Sequence, residues 1–331
     1  MAQPPPGCHA LDGRPVRQAV AETSTAAMEV HALRIFVATR REAVPAECAR
    51  FLSVDGSVPG AVTAWDHHVT GERINLEAMP DLVDASAYDG VGTTLADADA
   101  VASVVAVLRG GKARLPPAVR ATLECASHWC DHLAPHPAHD AASNRLGRGL
   151  NDALGARFAA VPRERVSAAF EAVCRALEAD IVAGRPLPFE DHEAEQHALA
   201  ARLVAQGRLR LIGRVALVDL VGFPGVDPAA CYALHDCPVA VAVDSHPVGG
   251  WKYTVGVNPR VADAPRDLGP ALRALARAEH AHGSPARGPE PLPGQENWGG
   301  RATVFGSPWN YASRLDPDEV VATVARAMGW G

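Results

Sequence analysis

Residues Gly60-Ala61-Val62-Thr63-Ala64-Trp65 form an apolar run too short for an ordinary helix, and it ends at once in Asp66-His67-His68. Such a run reads as a short buried strand. Parallel α/β sheets bind ligands in the crevice beyond the carboxyl ends of their strands. A carboxylate and two imidazoles delivered there mark a candidate metal centre. That donor set suits Mn²⁺, Fe²⁺ or Zn²⁺ better than Ca²⁺. Consecutive residues of an extended chain face opposite ways, so at most two of the three share a pocket unless the chain turns. Thr70-Gly71 supplies a turn.

At 331 residues the chain has room for two domains with separate cores. A hydrophobic content of 48% with 21% charged residues indicates a folded globular protein. The net charge of −7 provides no basic field for long nucleic acid, while a small anionic substrate at a local site is allowed. The seven cysteines include no CxxC pair and are read as reduced thiols. No apolar stretch approaches a membrane span, and Met1-Ala2-Gln3-Pro4-Pro5-Pro6 lacks the features of a signal peptide. The expected location is the cytoplasm, with no membrane partner; a homodimer is allowed.

Along the chain, residues 1–28 read as a flexible tail and Leu33–Ala38 as the first strand. Residues 45–52 read as a short helix with Pro45 in its first turn. Val62–Trp65 then becomes the second strand of a right-handed β-α-β unit. Residues 84–94 form a polar, turn-rich segment. Asp97 and Asp99 open an apolar helix that runs to Leu108 and stops at Gly110-Gly111. Both are equally suited to capping that helix and to holding a metal. A helix from Pro117 to Cys130 gives way to an irregular, histidine-rich loop over 127–140. In it Asp131 is the leading ligand candidate, His132 and His136 are secondary, and His139 is placed at the surface. Periodic apolar positions predict a core helix over 163–183. A further helix over 190–206 carries His192 and His197, whose five-residue spacing does not fit a zinc-protease HExxH motif.

Shorter elements begin beyond residue 206. Strands are expected over 209–220, 239–243 and 251–257, the last two forming a hairpin across Pro247-Val248-Gly249-Gly250. A helix over 267–280, a mobile covering loop over 281–295 and a final helix over 317–328 complete the chain. Between the last two lies Asn297-Trp298-Gly299-Gly300-Arg301, followed by Gly306-Ser307-Pro308. Gly299, Gly300 and Arg301 can offer backbone N–H groups and a guanidinium fork to an anion. Ser307, Lys252 and Arg40 or Arg41 are further candidate contacts. The combined pattern suits metal-assisted hydrolysis of a phosphate ester.

Asp66-His67-His68, continued by Val69-Thr70-Gly71-Glu72, resembles the signature of the DHH phosphoesterase superfamily. Asp131 is similar to that family's later metal-binding aspartate, and Gly299-Gly300-Arg301 resembles the glycine segment of a DHHA1-type second domain. The resemblance implies an α/β fold with an N-terminal parallel-sheet, metal-binding domain over 29–206. A smaller α/β substrate-binding domain over 207–331 follows, with the active-site cleft between them. It implies a divalent metal, Mn²⁺ first, with Mg²⁺, Fe²⁺ or Zn²⁺ as alternatives. The implied activity is hydrolysis of a small phosphorylated metabolite or nucleotide by metal-activated water. Asp66, His67, His68 and Asp131 are the implied ligands, joined by Asp97 and Asp99, and His67 and His68 are also catalytic. Two departures stand out. The family's His-x-Asp-x-Asp motif is replaced by Thr39-Arg40-Arg41-Glu42-Ala43, and no strand is expected for its second motif, a lone Asp. They support an alternative, a non-hydrolytic descendant that binds a nucleotide or phosphate as sensor or partner.

Overall fold

The computed structural model describes residues 33–223, 226–247, 249–283, 298–308 and 311–330. The expected tail, residues 284–295 of the expected covering loop, Asn297 and Val248 lie outside the described residues. Four strands form a fully parallel sheet: β1 (Arg34–Val37), β2 (Phe51–Val54), β3 (Thr63–Trp65) and β4 (Gly90–Thr93). Their spatial order is β1-β4-β2-β3. Around it are the single-turn helices α1 (His67–Thr70) and α2 (Asn75–Ala78), then α3 (Ala98–Leu108), α4 (Pro117–His132), α5 (Ala141–Ala159), α6 (Val166–Val182) and α7 (Glu193–Ala205). A second, mixed sheet has the order β5-β6-β7-β8-β10-β9. Its strands are β5 (Leu209–Ile212), β6 (Val215–Asp219), β7 (Val239–Ser245), β8 (Trp251–Val257), β9 (Gly299–Gly300) and β10 (Val304–Gly306). Helices α8 (Gly269–Ala281) and α9 (Pro317–Ala327) pack on it.

The parallel sheet buries Ile35, Leu52, Val54 and Val91 against Val101, Val104 and Val105 of α3 and Phe170, Val173 and Leu177 of α6. In β7 the two-residue period is explicit. Val239, Val241 and Val243 enter the core with α8 and α9, while Ala240 and Ala242 face the opposite side. Among the described residues no helix is long and apolar enough to cross a membrane. The six described cysteines are free thiols.

Four expectations about the parallel sheet and its helices are corrected. Residues 45–50 are not helical, and Phe51–Val54 is a strand, so the Asp-His-His strand is the third in sequence. The Arg50 backbone is pinned just ahead of the strand: its N–H donates to the Asp89 carboxylate at 2.8 Å, and its carbonyl accepts from Asp89 N at 2.7 Å. The segment read as turns contains β4, the strand between β1 and β2. Glycine is required there by packing and not by a turn. A Cβ on Gly92 would run into the Phe36 ring, and one on Gly90 would lie 2.8 Å from Cys48 Sγ. The Asp-His-His strand is an edge strand with half-exposed positions, not a buried one. Finally, α4 continues through Ser127–His132, so only 133–140 is irregular, and α5 was not anticipated.

The contact between Gly92 and Phe36 yields a prediction. Gly92→Ala should lower stability by roughly 1–3 kcal/mol through overpacking, and Phe36→Leu in the same chain should recover part of that loss. Chemical denaturation of the three proteins measures both effects; equal stability of Gly92→Ala and the parent would contradict this packing.

Candidate metal centre

The carboxyl ends of β2, β3 and β4 converge, as the parallel arrangement requires. Strand β2 delivers Asp55, which adopts a left-handed conformation (φ 47°). Gly56 follows because a Cβ there would strike the Thr94 side chain. Thr93 Oγ1 donates to the Asp55 carbonyl at 3.0 Å and fixes the turn from the neighbouring strand. Strand β3 ends in Asp66, which caps α1: its Oδ1 accepts from His68 N at 2.9 Å and its Oδ2 from Ser57 Oγ at 2.9 Å. The turn of α1 then sends His67 inward, fully buried, while the His68 side chain remains 52% exposed.

Beyond β4, Asp97 caps α3 by accepting from Ala100 N at 2.9 Å. Asp99, in the first turn, is wholly buried and accepts from Asn75 N at 2.9 Å. The positive end of α3 favours negative charge at both. Asp131 arrives from the last turn of α4.

Around His67 Nε2 lie Asp55 Oδ1 at 3.1 Å, Asp99 Oδ2 at 3.2 Å and Asp131 Oδ2 at 3.3 Å. His68 Nε2 is 3.5 Å from the same Asp55 oxygen. From the second sheet, Arg301 donates to Asp131 Oδ2 at 2.8 Å and approaches His68 Nε2 at 3.3 Å, with a shorter contact to His67 Nε2. His132 also bridges the two sheets, through Thr303 Oγ1 at 2.6 Å from Nδ1 and the Arg73 carbonyl at 2.9 Å from Nε2.

Electrostatics follow from this crowding. Burial, then the nearby Asp55, pushes Asp99 up to about 6. Asp97 is raised by desolvation and Asp55, and Asp131 by desolvation and Asp99, with Arg301 opposing. Asp55 itself is lowered: burial acts to raise it, but hydrogen bonds from His67 and His68 outweigh that. Burial lowers His132 to about 4 and His128 to about 3, so both are neutral at pH 7.

These residues fit a divalent cation. One imidazole nitrogen has a single proton or a single lone pair, yet three carboxylate oxygens surround it. Ligands at about 2.0–2.2 Å from an ion, at right angles, lie about 3 Å from one another. Among the described residues two sets of donors have this character, Asp55-His67-His68 and His67-Asp99-Asp131. His67 Nδ1 is buried without a hydrogen-bond partner among the described residues. If Nε2 holds an ion, the ring proton therefore resides on Nδ1.

Of the residues singled out in the sequence, His67, His68, Asp99, Asp131 and Arg301 are brought together. Asp97 adjoins Asp55, and the Asp66 carboxylate is engaged as a cap. Gly299 and Gly300 form β9, and Gly300 (φ 145°) has no space for a Cβ against the Phe305 backbone. Ser307 and Lys252 lie elsewhere. Ser307 Oγ accepts from Tyr253 N inside the sheet at 2.8 Å, and Lys252 is five residues from the Val257 end of β8, about 16 Å along the strand. Arg41 lies over the Phe51 ring, 5.3 Å from its centroid, and Arg40 is exposed. His136 is buried, and His139 is half-buried against Glu124 at 2.7 Å.

Asp55 was missed. The signal was present in Phe51-Leu52-Ser53-Val54-Asp55-Gly56, an apolar run closed by an Asp-Gly turn. This supplies the lone aspartate on its own strand that the sequence reading had not located.

A pH prediction follows. A carboxyl whose folded value is raised stabilises the fold below its unfolded value, and that contribution is lost as pH rises through the folded value. For Asp99 the window runs from about 4 to about 6. In chelator, Asp99→Asn should therefore gain in melting temperature relative to the parent between about pH 4 and 6 and keep that gain at higher pH, and added Mn²⁺ should narrow the difference. A difference that is constant across this range counts against the crowding described.

No family model matches the sequence, and no curated protein matches it. Among solved structures the chain is similar to PggH, a pGpG-specific phosphodiesterase from Vibrio cholerae. The two share 15% sequence identity at a TM-score of 0.44, over 85% of this chain and 84% of that one.

Proposed function

We propose that the chain is a divergent DHH-type phosphoesterase that hydrolyses a small phosphorylated metabolite or nucleotide with the help of a divalent metal. The observation that carries this is the set of three carboxylate oxygens within 3.3 Å of His67 Nε2, on the motif Asp66-His67-His68, with a guanidinium beside it. Asp55, His67, Asp99 and Asp131 are the residues that would hold the ion, with Asp97 and His68 adjoining. Mn²⁺ is the first choice for this mixed carboxylate and imidazole set, which also suits Fe²⁺ or Zn²⁺. When bound, such an ion acidifies water and neutralises charge on phosphoryl oxygens.

The remaining roles belong to the chain. Arg301 exchanges its contact with Asp131 for a phosphoryl oxygen of the substrate, as a planar fork suited to oxyanions. His68, half-exposed at the same edge, exchanges a proton with the attacking or leaving oxygen. Asp66 keeps α1 capped and so holds both imidazoles in place. This reading divides the chain near residue 206 into a metal-binding part and a substrate-binding part that carries Arg301. A cytoplasmic location accords with it.

A second reading is favoured by one observation. The position after β1 carries Arg40 and Arg41 and no aspartate, and Arg301 already answers part of the charge on the cluster. A protein that binds a phosphate or nucleotide without cleaving it would look like this.

Turnover decides between them. With Mn²⁺, release of p-nitrophenol from bis-p-nitrophenyl phosphate, of phosphate from pyrophosphate, or of mononucleotides from short dinucleotides is expected. His67→Ala or Asp131→Asn should reduce kcat by about 100-fold or more, and Arg301→Ala should mainly raise KM. No turnover across this panel, with one ion bound per chain, would favour the second reading.

A further inference from the structure

We infer that His132 and Thr303 are a positioning pair: the hydrogen bond between them sets where Arg301 stands, and so how tightly a phosphoryl group is held, without touching substrate or ion. This rests on the anion-binding role proposed for Arg301. Two consecutive residues in the last turn of α4 reach the same short hairpin of the second sheet. Asp131 Oδ2 accepts from Arg301 Nη2 at 2.8 Å, and His132 Nδ1 lies 2.6 Å from Thr303 Oγ1. The partners are 170 and 171 residues apart in sequence, so neither contact is imposed by local chain geometry.

The two nitrogens of the His132 ring have fixed roles. The Arg73 carbonyl, 2.9 Å from Nε2, can only accept, so Nε2 carries the proton. His132 is neutral at pH 7. Nδ1 therefore keeps a lone pair, and Thr303 donates to it. The ring is also clamped on its face, stacked on His128 with centroids 4.4 Å apart and planes inclined by 24°. His128 in turn donates from Nδ1 to the Ala134 carbonyl at 2.8 Å. An imidazole fixed at both nitrogens and on one face presents Nδ1 in one place.

On the other side, the tip Arg301-Ala302-Thr303 is one stiff piece. Arg301 N donates to the Val304 carbonyl at 2.6 Å, Leu268 N to the Ala302 carbonyl at 2.6 Å, and Val257 N to the Thr303 carbonyl at 2.8 Å. These bonds tie the tip to its own sheet and so do not set its distance from the carboxylate cluster. The contacts from α4 do. The Asp131 contact is the one given up when Arg301 takes a phosphoryl oxygen. Among the described residues, the His132 bond is then the hydrogen bond that still joins α4 to the tip. A guanidinium fork on a long, rotatable side chain meets an oxyanion squarely only when its backbone origin is held.

Calorimetric titration of the full chain, loaded with Mn²⁺, with inorganic phosphate tests the pair, alongside KM for bis-p-nitrophenyl phosphate. Thr303→Val keeps the branched shape and loses the donor. It should weaken phosphate binding and raise KM by about 5-fold, with kcat and Mn²⁺ per chain unchanged. Thr303→Ser, which keeps the hydroxyl, should restore both. In an Arg301→Ala background, already weaker, Thr303→Val should add nothing further, as expected of a residue that acts through another. Four results would overturn the inference: no phosphate binding to the parent chain, Thr303→Val binding as tightly as the parent, Thr303→Ser as weak as Thr303→Val, or an undiminished effect of Thr303→Val in Arg301→Ala. Phosphate binding with no turnover would refute hydrolysis alone, since the binding comparisons still decide the pair.

Discussion

Burying several carboxylates within a few ångströms of one another is the constraint from which the rest of the structure follows. Asp55, Asp99 and Asp131 meet at His67, with Asp97 behind Asp55. Like charges at such distances in a low-dielectric interior cannot all remain ionised without a cation. The upward shifts of Asp97, Asp99 and Asp131 express that cost, and Asp55 stays ionised because two imidazoles donate to it. Local rules are bent to keep the groups together. Asp55 occupies a left-handed backbone region that a non-glycine residue rarely adopts, and Thr93 and Gly56 hold it there.

Much of this was legible in the sequence, and the failures share one cause. The long amphipathic helix α6, the hairpin β7–β8 and the last helix declare themselves through periodicity. The Asp-His-His turn and Asp131 declare themselves through chemistry. Strands β2 and β4 did neither. Each has four residues buried throughout, so no alternation marks them. In β4 the sequence Gly-Val-Gly-Thr looks like a turn because the Cβ positions it lacks are filled by Phe36 and Cys48 from elsewhere in the chain. Missing β2 concealed Asp55, and with it the aspartate that anchors the cluster. The helix α5 was hidden in a similar way. Its Gly147 and Gly149 lower helix propensity, but they admit Cys125 of α4 and Phe189 at close range.

Arg301 is the point at which the two sheets become chemically dependent on each other. Its side chain is only 10% exposed, and its nearest anion is Asp131 of α4, 170 residues earlier. The segment carrying it is tied down on both sides. Gly300 lies tight on the Phe305 backbone, and Thr303 meets the half-buried His132. The anchored segment holds the guanidinium at the carboxylate cluster, and the Arg301–Asp131 contact is thereby a chemical link between the second sheet and the helix that follows the first.

The Asp-His-His triplet divides its labour for a geometric reason. In a continuing strand, His67 would face away from Asp66 and His68. The cap formed by Asp66 instead curls the chain into α1 immediately after β3, so the next two residues are separated by a helical step. One imidazole is thereby driven into the cluster, and the other is left at the rim with half its surface in solvent. A buried imidazole locked among carboxylates is suited to hold charge and geometry constant. The half-exposed one, 3.5 Å from the same Asp55 oxygen, stays accessible from outside the cluster. The capping aspartate contributes by orientation: without it neither ring would stand where the chemistry of the cluster requires.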